Sequence, residues 1–268
     1  MNSKIIRLAI IVTAILTYSA PLFAEEEIDA SDPTKIYTYA GGGIKYTDYT
    51  NDESMVELRA TGNLGLTNSD MVLFEIGYGW HSGDAVPGDD SNITNGRLRY
   101  FHLFPMDYSV VSGYRGLAAQ VDLQLAGGLK GTDGQNTLSL GVLPAVGINE
   151  KLSFYLAANL VNTWDKNFDN WNGAGAGVGP LLVFVPDQWW PGAYVQLWPA
   201  YTRFFSGELG GSGSGNVDLT TGGEITKKTF WSVTLQKNVD EDLNSFRRGR
   251  DTGLKNDWNV FLNVTTYF

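Results

Sequence analysis

The chain has 268 residues, a formal net charge of −10 and no cysteine. Its acidic balance argues against nucleic-acid binding, which needs a basic surface, and the lack of cysteine excludes disulfides and thiolate metal sites. Because only two histidines are present, a histidine-based metal site is also disfavoured, and we predict neither a metal nor a cofactor.

The N-terminus has the pattern of a Sec signal peptide. Lys4 and Arg7 precede an apolar run over residues 8–16, and three glutamates follow Ala24. Such a segment is removed on export, and we expect cleavage after Ala24, with Ala20 as the alternative. An uncleaved membrane anchor is the other interpretation, which the short apolar run disfavours. Removal of the two basic residues makes the mature chain still more acidic.

Beyond the signal, apolar and polar residues alternate, with breaks at clusters of Gly, Asn and Asp. Alternation with period two is typical of strands, and no apolar run is long enough for a transmembrane helix. A closed barrel is the only other structure that satisfies every backbone group in lipid. We therefore predict an all-β transmembrane antiparallel up-and-down β-barrel over residues 35–268, after a signal peptide at 1–24 and a periplasmic segment at 25–34.

Eleven strands follow from the alternation. In chain order they are predicted at residues 36–47, 55–66, 71–80, 97–104, 116–125, 137–147, 152–163, 177–185, 193–204, 228–237 and 257–268. Since single-chain bacterial barrels almost always have an even number of strands, we expect twelve, with ten as the fallback. The missing strand is predicted within 243–254, where the pattern is weak.

The connections between these strands alternate in length. Short ones are predicted near residues 68–69, 149–150 and 186–187, and long polar ones at 82–95, 126–136, 165–172 and 206–223. Barrels of the outer membrane have short periplasmic turns and longer external loops. We therefore expect the long loops to face the outside of the cell.

The final strand carries the clearest membrane signal. Its apolar face runs from Trp258 to Phe268, with an aromatic residue at each end, as expected of a strand that crosses a bilayer between two aromatic girdles. The ending resembles the C-terminal signature of bacterial outer-membrane β-barrel proteins. The resemblance implies that Tyr267 and Phe268 form the signal read by the barrel-assembly machinery, in the outer membrane of a Gram-negative bacterium.

Polar and charged residues fall on the opposite faces of the predicted strands. Arg or Lys at the bilayer midplane costs about 2–4 kcal/mol, so these residues are predicted to face the lumen. The candidate pore-lining residues are Lys45, Glu57, Arg59, Glu75, Arg97, Arg99, Gln120, Asp122, Gln124, Tyr194, Gln196 and Trp198. A narrow aqueous pore is the favoured interpretation. A sealed barrel filled by an ionic network is the alternative, although twelve strands leave more room than side chains need.

Motifs for catalysis are weak, and no catalytic residue is predicted. His81 and Ser82 are adjacent and should point to opposite faces, whereas a nucleophile and its base must point the same way. His102 has no serine two residues further on. A protease site at the rim, made of His81 and the acidic residues at 84–90, is less favoured than an acidic surface loop.

Two segments resemble stretches of outer-membrane transporters of the MetA type, which are linked to phenol degradation. They are residues 97–104, Arg-Leu-Arg-Tyr-Phe-His-Leu-Phe, and 183–190, Val-Phe-Val-Pro-Asp-Gln-Trp-Trp, followed by Pro199. The ending Tyr267-Phe268 is also similar, whereas 243–255 departs from the pattern. The resemblance implies passage of solutes, including aromatic compounds, and supplies no site residues.

The sequence thus predicts a monomeric outer-membrane channel for passive passage of small solutes. Its expected partners are membrane lipid, lipopolysaccharide, the assembly machinery and the solute, with no nucleic acid. Two alternatives stay open: a barrel enzyme acting at the external rim, and a closed structural or adhesive barrel.

Overall fold

The computed structural model describes residues 28–31, 35–49, 53–83, 89–104, 114–129, 135–186, 189–241 and 256–268. Within them the chain forms twelve β-strands. In chain order these are β1 (Tyr39–Tyr49), β2 (Ser54–Gly65), β3 (Asp70–Ser82), β4 (Ser91–Phe104), β5 (Tyr114–Ala126), β6 (Gln135–Gly147), β7 (Leu152–Asp165), β8 (Trp171–Phe184), β9 (Tyr194–Gly207), β10 (Gly213–Thr226), β11 (Thr229–Glu241) and β12 (Asn256–Tyr267).

The strands make one closed antiparallel barrel in which each strand pairs with its neighbours in sequence. The last strand closes on the first, and their register pairs Tyr39 with Tyr267. The predicted twelve-stranded up-and-down barrel is therefore confirmed. Over the residues described, no helix is long and apolar enough to cross a membrane.

The twelfth strand is not where the sequence pattern placed it. It is β10, which occupies most of the segment predicted as a long polar loop at 206–223, so that prediction was wrong. Small and polar residues hide the alternation there, because β10 has three large exposed apolar side chains, Val217, Leu219 and Ile225, and only the first two lie within that segment. The segment 243–254, predicted to hold the missing strand, lies outside the described residues.

The two ends of the barrel differ in their connections. The turn end carries the tight β2–β3, β6–β7 and β10–β11 connections at 66–69, 148–151 and 227–228. The loop end carries 83–90, 127–134 and 208–212 among others. The predicted short turn at 186–187 is wrong in length, because β8 and β9 are joined by residues 185–193. We expect the turn end to face the periplasm.

The outer surface is an apolar belt with aromatic residues at both rims. Leu160 is 62% exposed and Leu262 is 52% exposed, although both are aliphatic. The exposed aromatic residues among those described are Tyr46, Tyr78, Trp80, Phe168, Trp171, Phe205 and Trp258 towards the loop end and Tyr100, Phe104, Phe184, Trp189 and Phe268 towards the turn end. Exposing such a large apolar surface to water is unfavourable. Two aromatic girdles are typical of the two interfaces of a bilayer. The belt therefore confirms the predicted outer-membrane barrel.

The interior is divided into two halves. Towards the turn end, inward side chains form a buried apolar cluster, which also contacts Ile36 and Trp198. Its members are Met71, Phe101, Ala118, Leu143, Ala145, Tyr155, Ala157, Leu181 and Val183. Towards the loop end, polar and charged inward residues predominate, and two smaller buried apolar clusters lie among them, Tyr49 with Met55 and Leu129, and Val161 with Phe204 and Leu209. The turn-end half of the lumen is therefore the more apolar one.

Candidate functional site in the barrel lumen

A chain of ion pairs lines one wall of the lumen, and we call it the ionic belt. It consists of Glu57 and Arg59 on β2, Glu75 on β3, Arg97 and Arg99 on β4, and Asp122 on β5. Arg59 Nε lies 2.5 Å from Glu57 Oε1, and Arg59 Nη1 lies 3.4 Å from Glu75 Oε2. Arg97 Nη2 lies 2.5 Å from Asp122 Oδ2 and Nη1 lies 3.8 Å from Glu75 Oε1. Arg99 Nε is 3.5 Å from Asp122 Oδ2.

Strand register brings these charges together. Glu75 is directly opposite Arg97 in the β3–β4 pair, and Arg99 is directly opposite Asp122 in the β4–β5 pair. Opposite residues of an antiparallel pair have their side chains on the same face, so residues far apart in sequence meet on the inner wall. The alternation in the sequence and the pairing order together therefore determine the belt.

A glycine makes room for the buried carboxylate of the belt. Glu57 is 1% exposed. Its carboxylate occupies the space that a side chain on residue 77 would fill. A Cβ at Gly77 would lie 2.5 Å from Glu57 Oε1 and would also meet Thr94 Oγ1. The missing side chain therefore allows Glu57 to lie flat against β3.

The opposite wall carries an acidic side chain, Asp218 on β10. It accepts hydrogen bonds from Gln236 Nε2 at 2.8 Å and Asn216 Nδ2 at 2.6 Å. In the closed strand order β10 lies diametrically across from β4. Asp218 is nevertheless close enough to Arg97 and to Lys45 to interact electrostatically with both. Charged groups therefore face each other across the lumen.

The sequence pattern does not identify Asp218, because it predicts a loop over this segment, which is strand β10. The signal that identifies it is the short alternation Val217-Asp218-Leu219-Thr220, in which the two apolar residues point outward. Gly-rich flanks obscured this alternation.

The remaining predicted pore-lining residues also lie inside the barrel, at several levels. Gln120 donates a hydrogen bond to Asn159. Gln124 lines a cavity near the loop end, and Trp198 and buried Tyr194 lie towards the turn end. Gln196 Nε2 donates to the carbonyl of Ser31 at 3.2 Å. Their role as pore-lining residues stays a prediction.

The N-terminal segment approaches the turn-end mouth of the lumen. Ser31 is 5% exposed and is held by Gln196, and the Asp29 backbone N–H donates to the Tyr37 hydroxyl at 2.9 Å. Nearby, the Tyr267 ring lies 5.4 Å from the rings of Tyr37 and Phe230. This mouth is therefore lined by aromatic rings and narrowed by residues 28–31.

The C-terminal residue closes the seam of the barrel. The Phe268 backbone N–H donates to the Thr38 carbonyl at 3.0 Å, while its side chain is 47% exposed on the outer surface. Tyr267 points inward, as the alternation predicts. The proposed assembly signal is therefore accessible at the turn end.

The two histidines are far from forming one site. His81 is buried and faces inward, with Nε2 3.5 Å from Glu53 Oε2, while Ser82 is exposed. His102 points outward, where Nδ1 lies 2.8 Å from Asp70 Oδ1. Among the residues described, no group of three or more His, Cys, Asp or Glu side chains is placed to hold a metal. Asp84, one of the acidic residues of the rim protease hypothesis, lies outside the described residues.

Comparisons with solved structures place the barrel among outer-membrane channels in fold. The COG4313 outer membrane channel from Pseudomonas putida F1 is 13% identical with a TM-score of 0.60, over 91% of this chain and 100% of that chain. The KdgM porin, solved in complex with disordered oligogalacturonate, is 8% identical with a TM-score of 0.52, over 85% and 99%. The NanC porin is 8% identical with a TM-score of 0.51, over 86% and 99%. At these identities the likeness shows the fold alone.

No family model matches the chain, and no curated protein matches it in sequence. The MetA-type resemblance of residues 97–104 and 183–190 therefore stays a prediction.

Proposed function

We propose that this protein is a monomeric outer-membrane channel of a Gram-negative bacterium that passes small solutes passively, including aromatic or hydrophobic compounds. The observation that carries the proposal is the charged lumen. The ionic belt on one wall faces Asp218 on the other, at a level where the outer surface is apolar. Burying charged groups inside a membrane protein is costly unless they are paired or hydrated. A water-filled passage would hydrate the charges of the ionic belt and of Asp218 that pairing leaves unsatisfied.

The apolar half of the lumen supports aromatic solutes. Phe101 and Tyr155 belong to the inward apolar cluster, and Trp198 packs against it. The Trp198 indole N–H is buried and has no hydrogen-bond partner among the described residues, so it is available to an acceptor on a passing solute. Tryptophan offers both an apolar face and a single donor.

A closed structural barrel is the second candidate, and a specific observation favours it. Ser31 is buried at the turn-end mouth, and Ile36 contacts the inward apolar cluster. If these contacts fill the mouth completely, the interior is a core and the loops would carry the function. For an enzyme of the external rim, the described residues give no comparable observation.

Ion currents across planar bilayers test the proposal. We expect full-length protein to conduct ions, and benzenesulfonate to interrupt the current more often than methanesulfonate does. The Trp198→Leu variant should shorten these interruptions because the inward ring is lost. Trp231→Leu is the matched control, since Trp231 lies on the outer face with its ring 6.0 Å from that of Trp190.

The outcomes separate the parts of the proposal. The absence of any conductance would contradict the channel and favour the closed barrel. Conductance with equal effects of the two sulfonates would keep the channel and remove the aromatic preference.

A further inference from the structure

A polar cavity lies inside the barrel near the loop end. It has a volume of about 310 Å³ and is lined by β5, β6 and β7 on one side and by β9 and β10 on the other. Its polar lining includes Gln124, Gln135, Thr137, Ser139, Thr202 and Asn216. This volume is at the lower end of the range of small-molecule sites, about 300–1,000 Å³.

The chemistry of the lining differs from that of the ionic belt. The residues described around the cavity include no carboxylate, ammonium or guanidinium group. They offer amides and hydroxyls, which both donate and accept hydrogen bonds. Val161 and the buried ring of Phe204 add an apolar patch to the same wall. A charged ligand would find no counter-charge among the lining residues, since the Asp218 carboxylate behind Asn216 already accepts hydrogen bonds from Asn216 and Gln236. A neutral hydroxyl group would find partners of both kinds.

Several of these polar groups are not engaged elsewhere. The side chains of Gln135, Thr137, Ser139 and Thr202 make no hydrogen bond to any other residue that the structure describes. Ser139 is only 8% exposed. Polar side chains at this depth usually have a partner, and here water or a ligand must supply it.

We infer that this cavity binds a neutral, hydroxyl-bearing small molecule of about the size of a hexose or an inositol. The hydroxyls of Thr137, Ser139 and Thr202 and the amide of Gln135 would exchange hydrogen bonds with the ligand's hydroxyls. Phe204 and Val161 would cover an apolar face of its ring. The inference rests on the proposed function in one respect, since the cavity lies on the route of a solute that enters from the loop end.

Binding is tested with full-length protein in detergent by saturation-transfer NMR, with myo-inositol as the neutral probe. Glucuronate and N-methylglucamine serve as anionic and cationic probes of similar size. We expect saturable binding of inositol and much weaker binding of both charged probes. The triple variant Thr137→Val, Ser139→Ala, Thr202→Val should weaken inositol binding by about tenfold or more, since each lost hydrogen bond weakens binding by roughly a few-fold.

Thr61→Val is the matched control. Thr61 lies on β2, outside the cavity lining, and its Oγ1 is also buried without a partner among the described residues. Its loss should leave inositol binding unchanged. Folding is checked by heat-modifiable migration, and if the triple variant does not fold, Thr202→Val alone should weaken binding by a few-fold.

Three results would overturn the inference: no saturable binding of inositol, equal binding of a charged probe, or an equal loss in Thr61→Val. The proposed function fails separately. A wild-type protein that conducts ions but does not bind inositol overturns this inference and leaves the channel. A protein that binds inositol without conducting overturns only the channel.

Discussion

Replacing both Arg97 and Arg99 by Gln removes two positive charges from the ionic belt while leaving Glu75 and Asp122 in place. Arg97 pairs with both of these carboxylates, and Arg99 pairs with Asp122. If the lumen is an aqueous path, the wall becomes more negative and the channel should shift towards cations, because a low-dielectric wall focuses the field of its charges.

The size of the shift follows from the barrel dimensions. Twelve strands spaced about 4.8 Å apart and tilted about 40° give a radius of about 12 Å, so an inward arginine lies about 7 Å from an ion on the axis. At that distance one charge in water contributes about 0.6 kcal/mol. Screening with a Debye length of about 8 Å reduces the summed interaction energy of two such charges with the ion to about 0.5 kcal/mol. When these charges are removed, the permeability of cations should rise and that of anions should fall by about twofold each. The cation-to-anion permeability ratio therefore changes by about fivefold.

The assay is the reversal potential of single channels under a KCl gradient. The matched control is Arg203→Gln with Lys237→Gln, which removes the same charge outside the lumen. Arg203 is exposed. The Lys237 ammonium lies 4.7 Å from the centroid of the Trp258 ring on the outer face. The control should keep the wild-type reversal potential. In a sealed barrel the double variant would instead cost about 3–5 kcal/mol of stability, as loss of a buried ion-pair partner does. Unchanged selectivity in a well-folded double variant would refute the reasoning.

Deleting Phe268 should lower the yield of folded, heat-modifiable protein in the outer membrane, because the β1–β12 seam loses the bond from its backbone N–H to Thr38; normal yield would count against its role in assembly. An epitope tag within 83–90 should be detected on whole cells and a tag within 148–151 should not, and the reverse pattern would invert the proposed orientation. Gly77→Val should lower the free energy of unfolding by about 1–3 kcal/mol, as overpacking typically does, measured by urea titration in detergent.

Gly96→Ala is the control for the glycine prediction. A Cβ there would meet its nearest atom, the Leu125 Cβ, at 3.8 Å, which is an ordinary contact. Equal stability of the Gly77 and Gly96 variants would show that the placement of the Glu57 side chain does not depend on the missing side chain of Gly77.

The sequence predicted the barrel because lipid imposes a simple rule on each strand. Apolar side chains must point outward, so alternation alone oriented strands such as β2, β5 and β12 and placed Glu57 and Asp122 inside. The rule fails where both faces are apolar or small. β8 is such a strand, and only its pairing shows that Val178 points to lipid and Leu181 to the interior.

The lumen site was less accessible from the sequence. Alternation identifies inward residues, but it does not specify which of them meet, since register and closure decide that Arg97 pairs with Asp122 and approaches Asp218. The polar cavity depends on five strands at once. It has no local signature, because Ser and Thr are common in loops and on barrel interiors alike.

The single-channel conductance of purified wild-type protein in a planar bilayer tests the central claim most directly. We expect discrete, stable conductance steps in KCl, with a selectivity that depends on Arg97 and Arg99. A folded, heat-modifiable protein that inserts into the bilayer and passes no current would contradict it.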